Sequence, residues 1–216
     1  MSYLNCSEYI FLGEGKYDIP IIKPVYELPY IEKWDMFEIA RLQKPQKDIP
    51  VNFDYRQDYG VHFFQDDHKF DIVFSKPRKH LEKLKLYGCL LSPDFSMYTD
   101  FPMAVQIMQH YKKHWVARFW QEQGLTVIPT ICWSTQKSYE FCFDGEPHNS
   151  IVAVSDIGCC RNPEVKELFQ KGYDEMIKRL NPSKVLFFTY RNEKDNGIVK
   201  YINIKKQKNF IHQKGR

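Results

Sequence analysis

Five short runs of nearly continuous apolar residues constrain this chain more than any other feature. They are Val61-His-Phe-Phe64, Gly88-Cys-Leu-Leu91, Thr126-Val-Ile-Pro-Thr-Ile-Cys-Trp133, Ser150-Ile-Val-Ala-Val154 and Lys184-Val-Leu-Phe-Phe188. A strand with one wet face alternates apolar and polar residues. A run that is apolar at successive positions is covered on both faces, as in a parallel sheet. Helical patterns lie between the runs. In Asn162–Leu180, apolar residues recur at three and four, with Asn162 placed to cap, Pro163 in the first turn and Lys178 and Arg179 at the far end. Phe101–Gln123 carries Ala104, Met108, Tyr111, Trp115 and Phe119 on one face and ends at Gly124. A third helix is expected over Phe70–Leu86, interrupted by Pro77, and a last strand over Ile198–Ile204.

Parallel strands joined by helices require right-handed crossovers. The expected fold is therefore α/β, a parallel sheet of βα repeats. Five units fall short of the eight of a complete barrel, so an open or partly closed, barrel-like sheet is expected. Residues 1–59 read as a Pro-rich N-terminal arm packed on the domain, because five of the 12 prolines fall within the first 50 positions and break regular structure repeatedly. One short helix is expected there, around Glu32–Leu42. Residues 60–204 form the α/β domain and 205–216 a basic tail.

Composition narrows the class. With 43% hydrophobic and 16% aromatic residues in 216, the chain can build a core, which excludes disordered and low-complexity classes. No apolar run approaches the roughly 18 residues of a membrane span. Met1-Ser-Tyr-Leu-Asn-Cys6 lacks the basic-then-apolar plan of a signal peptide, so a cytoplasmic protein without membrane contact is expected. Six cysteines without a C-x-x-C pair give neither a disulfide scaffold nor the usual zinc half-site, and Cys89 and Cys132 read as small buried hydrophobes. The net charge of +4 is uneven: from Lys200 onward six residues are basic and none is acidic, leaving 25 basic against 27 acidic residues in the body. Such a tail either meets phosphate by counterion release or is a solvated terminus.

In parallel α/β folds ligands gather beyond the carboxyl ends of the strands. The residues just after each run are Gln65 to His68, then Ser92-Pro-Asp94-Phe-Ser96, then Trp133 and Ser134, then Ser155 and Asp156, then Tyr190 and Arg191. From these, Asp67, Asp94 and Ser155 are the catalytic candidates, and Ser96, Trp133, Ser134, Tyr190 and Arg191 the substrate-binding ones. Asp67 and Asp94 have two readings. They hold Mg²⁺ or Mn²⁺ through hard oxygen ligands, or mutual repulsion raises one proton affinity and makes them an acid/base pair. Aspartate also caps loops with no chemistry involved. His110 and His114 have the spacing of H-E-x-x-H zinc sites but lack the glutamate between them; with Lys113 and Arg118 they read as a solvated helix face. Trp115 and Trp120 read as core. No nucleotide-binding glycine fingerprint and no G-x-S-x-G elbow is present.

Gly88-Cys-Leu-Leu-Ser-Pro-Asp-Phe-Ser-Met-Tyr98, together with Tyr111-x-x-His114-Trp115, Val127-Ile-Pro129-Thr, Trp133-Ser134, Cys142-Phe-Asp144-Gly145 and Asn149-Ser-Ile-Val-Ala-Val-Ser155, resembles the domain-of-unknown-function family numbered 4417. The resemblance runs from about Gly60 to Tyr190. It implies a phage or mobile-element setting and, for a phage protein, the host cytoplasm; it transfers no activity. The functional expectation is a protein that binds a phosphate-bearing ligand, nucleotide or nucleic acid, at the strand ends, with metal-dependent phosphodiester or nucleotide hydrolysis as its most concrete form. The alternative is a non-catalytic binder in phage replication or counter-defence, with a host protein as partner.

Overall fold

In a computed structural model of the protein, the described residues are 11, 13–27, 37–40, 57, 59–159 and 162–204. A short antiparallel hairpin, β1 (Gly13–Glu14) and β2 (Ile19–Pro20), comes first. Seven strands follow: β3 (Phe37–Ile39), β4 (Gly60–His62), β5 (Cys89–Leu91), β6 (Val127–Ile128), β7 (Ile151–Ser155), β8 (Lys184–Thr189) and β9 (Val199–Asn203). Strands β3 to β6 form one parallel sheet in chain order, and β7 to β9 a second. A parallel bridge between Thr130 and Ala153 joins the two, with Ile131 N donating to Ala153 O and Ala153 N to Pro129 O, each at 2.8 Å.

Strands that pair in chain order wind the sheet in one sense, and the right-handed twist curls it. The curl brings distant strands together: the rings of Phe37 (β3) and Phe188 (β8) meet edge to face at 5.2 Å. Cys89, Leu91, Ile128, Ile151, Ala153, Leu186 and Ile202 fill the concave side with them. Among the described residues β9 does not pair with β3, so the sheet is curled but no closed barrel forms.

The opposite face carries the helices. Val61, Phe63, Leu90 and Val127 pack against α1 (Ile72–Ser75), α2 (Leu81–Leu84) and α3 (Met103–Glu122), with Trp115 and Trp120 in that core. Val152, Val154, Val185 and Phe187 pack against α4 (Pro163–Leu180). Ile151 and Ala153 face inward while Val152 and Val154 face outward, which is why the run is apolar throughout. Asn162 caps α4 by accepting from Val165 N at 2.8 Å, and Asn181, at φ 45°, ends it.

Two expectations are corrected. Phe37–Ile39, inside the stretch read as a helix, is a strand; pairing with β4 and burial of Phe37 in the curl override the local pattern. The helix expected over Phe70–Leu86 is two single turns, because Lys76, before Pro77, adopts φ −142° and ψ 68° and leaves the helical region. The basic tail, 205–216, lies outside the described residues. No described helix is long and apolar enough to cross a membrane.

Candidate functional site

Asp67 opens a 3-10 turn after β4, and Asp94 and Ser96 follow β5. Ser96 folds back on Asp67: its backbone N–H donates to both carboxylate oxygens at 3.2 and 3.1 Å, and its hydroxyl donates to Oδ1 at 2.8 Å. Gln109 of α3 adds a donor to Oδ2 at 3.0 Å. The Asp67 carboxylate is thereby fixed in place. Asp94 is half-buried beside it. Burial pushes the Asp94 carboxyl up to about 6; the Lys113 ammonium opposes the rise, the Asp67 charge adds to it and a hydrogen bond with Cys132 opposes it. The structure thus brings Asp67, Asp94 and Ser96 together, as two carboxyl groups with different surroundings. Cys132 is half-buried against them, and burial pushes its thiol up to about 12, so it is a neutral thiol.

The remaining candidates fall into other groups. Trp133 follows Cys132 but packs on Phe169 of α4 at 5.2 Å, lying so close over Gly172 that a Cβ there would stand 2.1 Å from the indole nitrogen. Ser134 is buried; its backbone N–H donates to Ser138 Oγ, and its own hydroxyl has no partner. Ser155 serves its own turn, accepting from Ile157 N at 3.2 Å. Arg191 pairs with buried Asp156 at 2.6 Å, and Asp156 also accepts from Thr189 Oγ1. Tyr190 is exposed. A groove of about 360 Å³ lies between α4 and β8–β9, walled by Lys166, Phe169, Tyr173, Arg191, Glu193 and Tyr201; Asp67 and Asp94 do not line it.

Beneath the rim lies a set that sequence reading placed in solvent. His110, Lys113 and His114 are 1%, 1% and 0% exposed. The solvated-face reading of this stretch is corrected: hairpin β1–β2 and the loop Phe141–Glu146 cover that side of α3. Lys113 Nζ donates to Thr130 O at 2.9 Å and to Glu146 Oε1 at 2.6 Å. His114 contacts Pro20 O at 2.7 Å and Glu146 Oε1 at 3.0 Å, and His110 Nε2 contacts Asp144 O at 3.1 Å. Burial, helped by the His114 and Lys113 charges, holds His110 well below the ordinary histidine range. Burial alone would raise Glu146, but Lys113 and His114 hold its carboxyl below the usual range. Gly145 permits the approach: at φ 73° its missing Cβ would lie 2.7 Å from Pro20 O and 2.9 Å from His114 Nδ1. The signal for Glu146 in the sequence is slight, a carboxylate directly after the apolar run Phe141-Cys-Phe143 and Asp144-Gly145.

Strand order and rim together define a singly wound α/β domain with a polar site at its strand ends. The chain belongs to the family described as "Domain of unknown function (DUF4417)", which matches residues 14–208. It is 36% identical over 181 residues to the "Gene 1 protein" of Mycobacterium phage L5, covering 82% of this chain and 73% of that protein. It is 33% identical over 181 residues to the "Gene 1 protein" of Mycobacterium phage D29, covering 82% of this chain and 62% of that protein. The chain therefore spans less than two thirds of the D29 relative. No solved structure matches.

Proposed function

We propose that this domain acts on a phosphate-bearing ligand, a nucleotide or a nucleic-acid strand, at the carboxyl-end rim, with Asp67 and Asp94 holding Mg²⁺ or Mn²⁺. The observation that carries this reading is the pairing of a carboxylate fixed by Ser96 and Gln109 with a second, half-buried carboxyl whose proton affinity burial has raised. Two carboxylates repel a phosphate; a divalent cation between them reverses the sign of the local field and supplies the hard Lewis acid that phosphoryl chemistry uses. Hydrolysis then consists of attack by water on phosphorus and departure of the ester oxygen, which takes up a proton.

The test is metal binding and turnover with Mg²⁺ and Mn²⁺ against a panel of nucleotides and oligonucleotides, for wild type, Asp67→Asn and Asp94→Asn. The expected result is metal-dependent binding and product release that both variants lose. Unchanged binding and turnover in both variants overturns the assignment. Metal-free binding of a protein partner, with both variants competent, would favour the non-catalytic role in phage replication or counter-defence.

A further inference from the structure

The sealed cluster under α3 carries lone pairs with nothing to meet them. A carbonyl oxygen only accepts, so His110 Nε2 is the protonated nitrogen where it meets Asp144 O at 3.1 Å. His110 Nδ1 therefore keeps its lone pair, and it is buried without a partner. His114 is oriented the same way: Nδ1–H donates to Pro20 O at 2.7 Å, which turns Nε2 toward Glu146 Oε1 at 3.0 Å. A neutral ring would there set lone pair against carboxylate, an arrangement that needs a cation or a proton between them. Glu146 gives Oε1 to Lys113 and His114, while Oε2 is buried without a partner. One donor atom from each of His110, His114 and Glu146 lies within 4.8 Å of the others.

We propose that His110, His114 and Glu146 bind a divalent transition metal of the zinc type. Two imidazoles and a carboxylate are a donor set zinc accepts, and imidazole disfavours the hard Mg²⁺ expected at the rim. Each histidine is already held by a backbone carbonyl on its far nitrogen, the outer-shell arrangement that fixes tautomer and ring direction in metal sites. Lys113 occupies only one oxygen of Glu146 and leaves the other for the ion. With all three ligands at most 3% exposed, the ion's role is to tie α3 to the loop carrying Glu146 and, through Pro20, to hairpin β1–β2. The proposal does not depend on the reading of Asp67 and Asp94.

The test uses the full chain stripped with a chelator and titrated with Zn²⁺ and Co²⁺, followed by melting temperature and the visible absorption of Co²⁺. The expected result is one Co²⁺ per chain with low-coordinate absorption bands, displaced by Zn²⁺, and a melting temperature that rises with Zn²⁺ by mass action. His110→Gln should melt with the stripped wild type and lose the Zn²⁺ response. Its affinity should fall by more than the roughly 10- to 100-fold that losing an outer-shell partner brings. Asp67→Asn should keep the response, which separates this site from the rim. If His110→Gln does not fold, a Zn²⁺-dependent shift of the histidine ring resonances in wild type carries the same information. No metal uptake by the wild type, or equal uptake by His110→Gln, overturns the proposal.

Discussion

Two clusters of charged groups share helix α3, and they behave oppositely. At the rim, Gln109 reaches Asp67 and the Lys113 charge is felt by Asp94, but burial, with a smaller addition from the Asp67 charge, pushes the Asp94 carboxyl up to about 6. On the covered side of the same helix, Lys113 and His114 close on a single carboxylate, Glu146, whose carboxyl they hold below the usual range, while His110 bonds Asp144 O. The residue types are similar; the balance of charge and access to water differ. The sealed cluster is built around the Lys113–Glu146 ion pair, with Glu146 Oε2 and His110 Nδ1 left without a partner. The rim sets two carboxyl groups with unlike surroundings near each other, and the proposed Mg²⁺ or Mn²⁺ would relieve their repulsion. An ion pair sealed from water ties elements together, and a carboxyl with raised proton affinity at a strand end is a candidate for ligand binding.

That contrast is most easily broken at Glu146. Glu146→Leu leaves the Lys113 ammonium buried without its carboxylate, and removing one partner of a buried pair costs about 3–5 kcal/mol. Urea unfolding should show that loss; a change below about 1 kcal/mol, within the range of exposed pairs, would mean that the cluster is wetter than its burial indicates. Gly145→Ala attacks the same cluster through the backbone. A methyl group 2.7 Å from Pro20 O at φ 73° should destabilise by about 1–3 kcal/mol, and hydrogen exchange should show hairpin β1–β2 loosening first.

How much of this was legible depended on where the deciding neighbours lay. The strands β4 to β8 were readable because both faces are apolar, a property of the run itself, and β9 because Ile198–Ile204 alternates. Asp67 and Asp94 were readable because position after a strand is a local fact, although their convergence through Ser96 was not. Strand β3 was hidden: Phe37-Glu-Ile39 is three residues long in a Pro-rich stretch, and only its pairing with β4 makes it a strand. His110, Lys113 and His114 read as a wet face because such residues normally are one; the group that buries them, Glu146, lies 32 positions beyond His114. A helix pattern carries no information about a loop that arrives later to cover it.

The rim responds to gentler changes. Ser96→Ala removes the hydroxyl that fixes Asp67 and should lower stability by about 1 kcal/mol, with a larger fall in metal affinity, measured by calorimetric titration. A fall in stability without any fall in affinity would make Ser96 a turn residue only. Asp94→Asn separates protonation from packing. A carboxyl whose proton affinity is raised on folding weakens the fold as pH climbs from its ordinary 3.8 to about 6, and that penalty is complete above. The asparagine variant, permanently neutral, should therefore gain melting temperature relative to wild type between pH 4 and pH 7. A constant difference across that interval would mean that folding does not raise the Asp94 proton affinity.

The most direct measurement is Mg²⁺ and Mn²⁺ binding to wild type and Asp94→Asn as a function of pH. A cation at Asp67 and Asp94 displaces the Asp94 proton, so wild-type affinity should climb as pH rises through about 6 and level off above it, with Asp94→Asn binding weakly at every pH. Affinity independent of pH, or equal in the two proteins, would place the metal elsewhere and contradict the rim as the functional site.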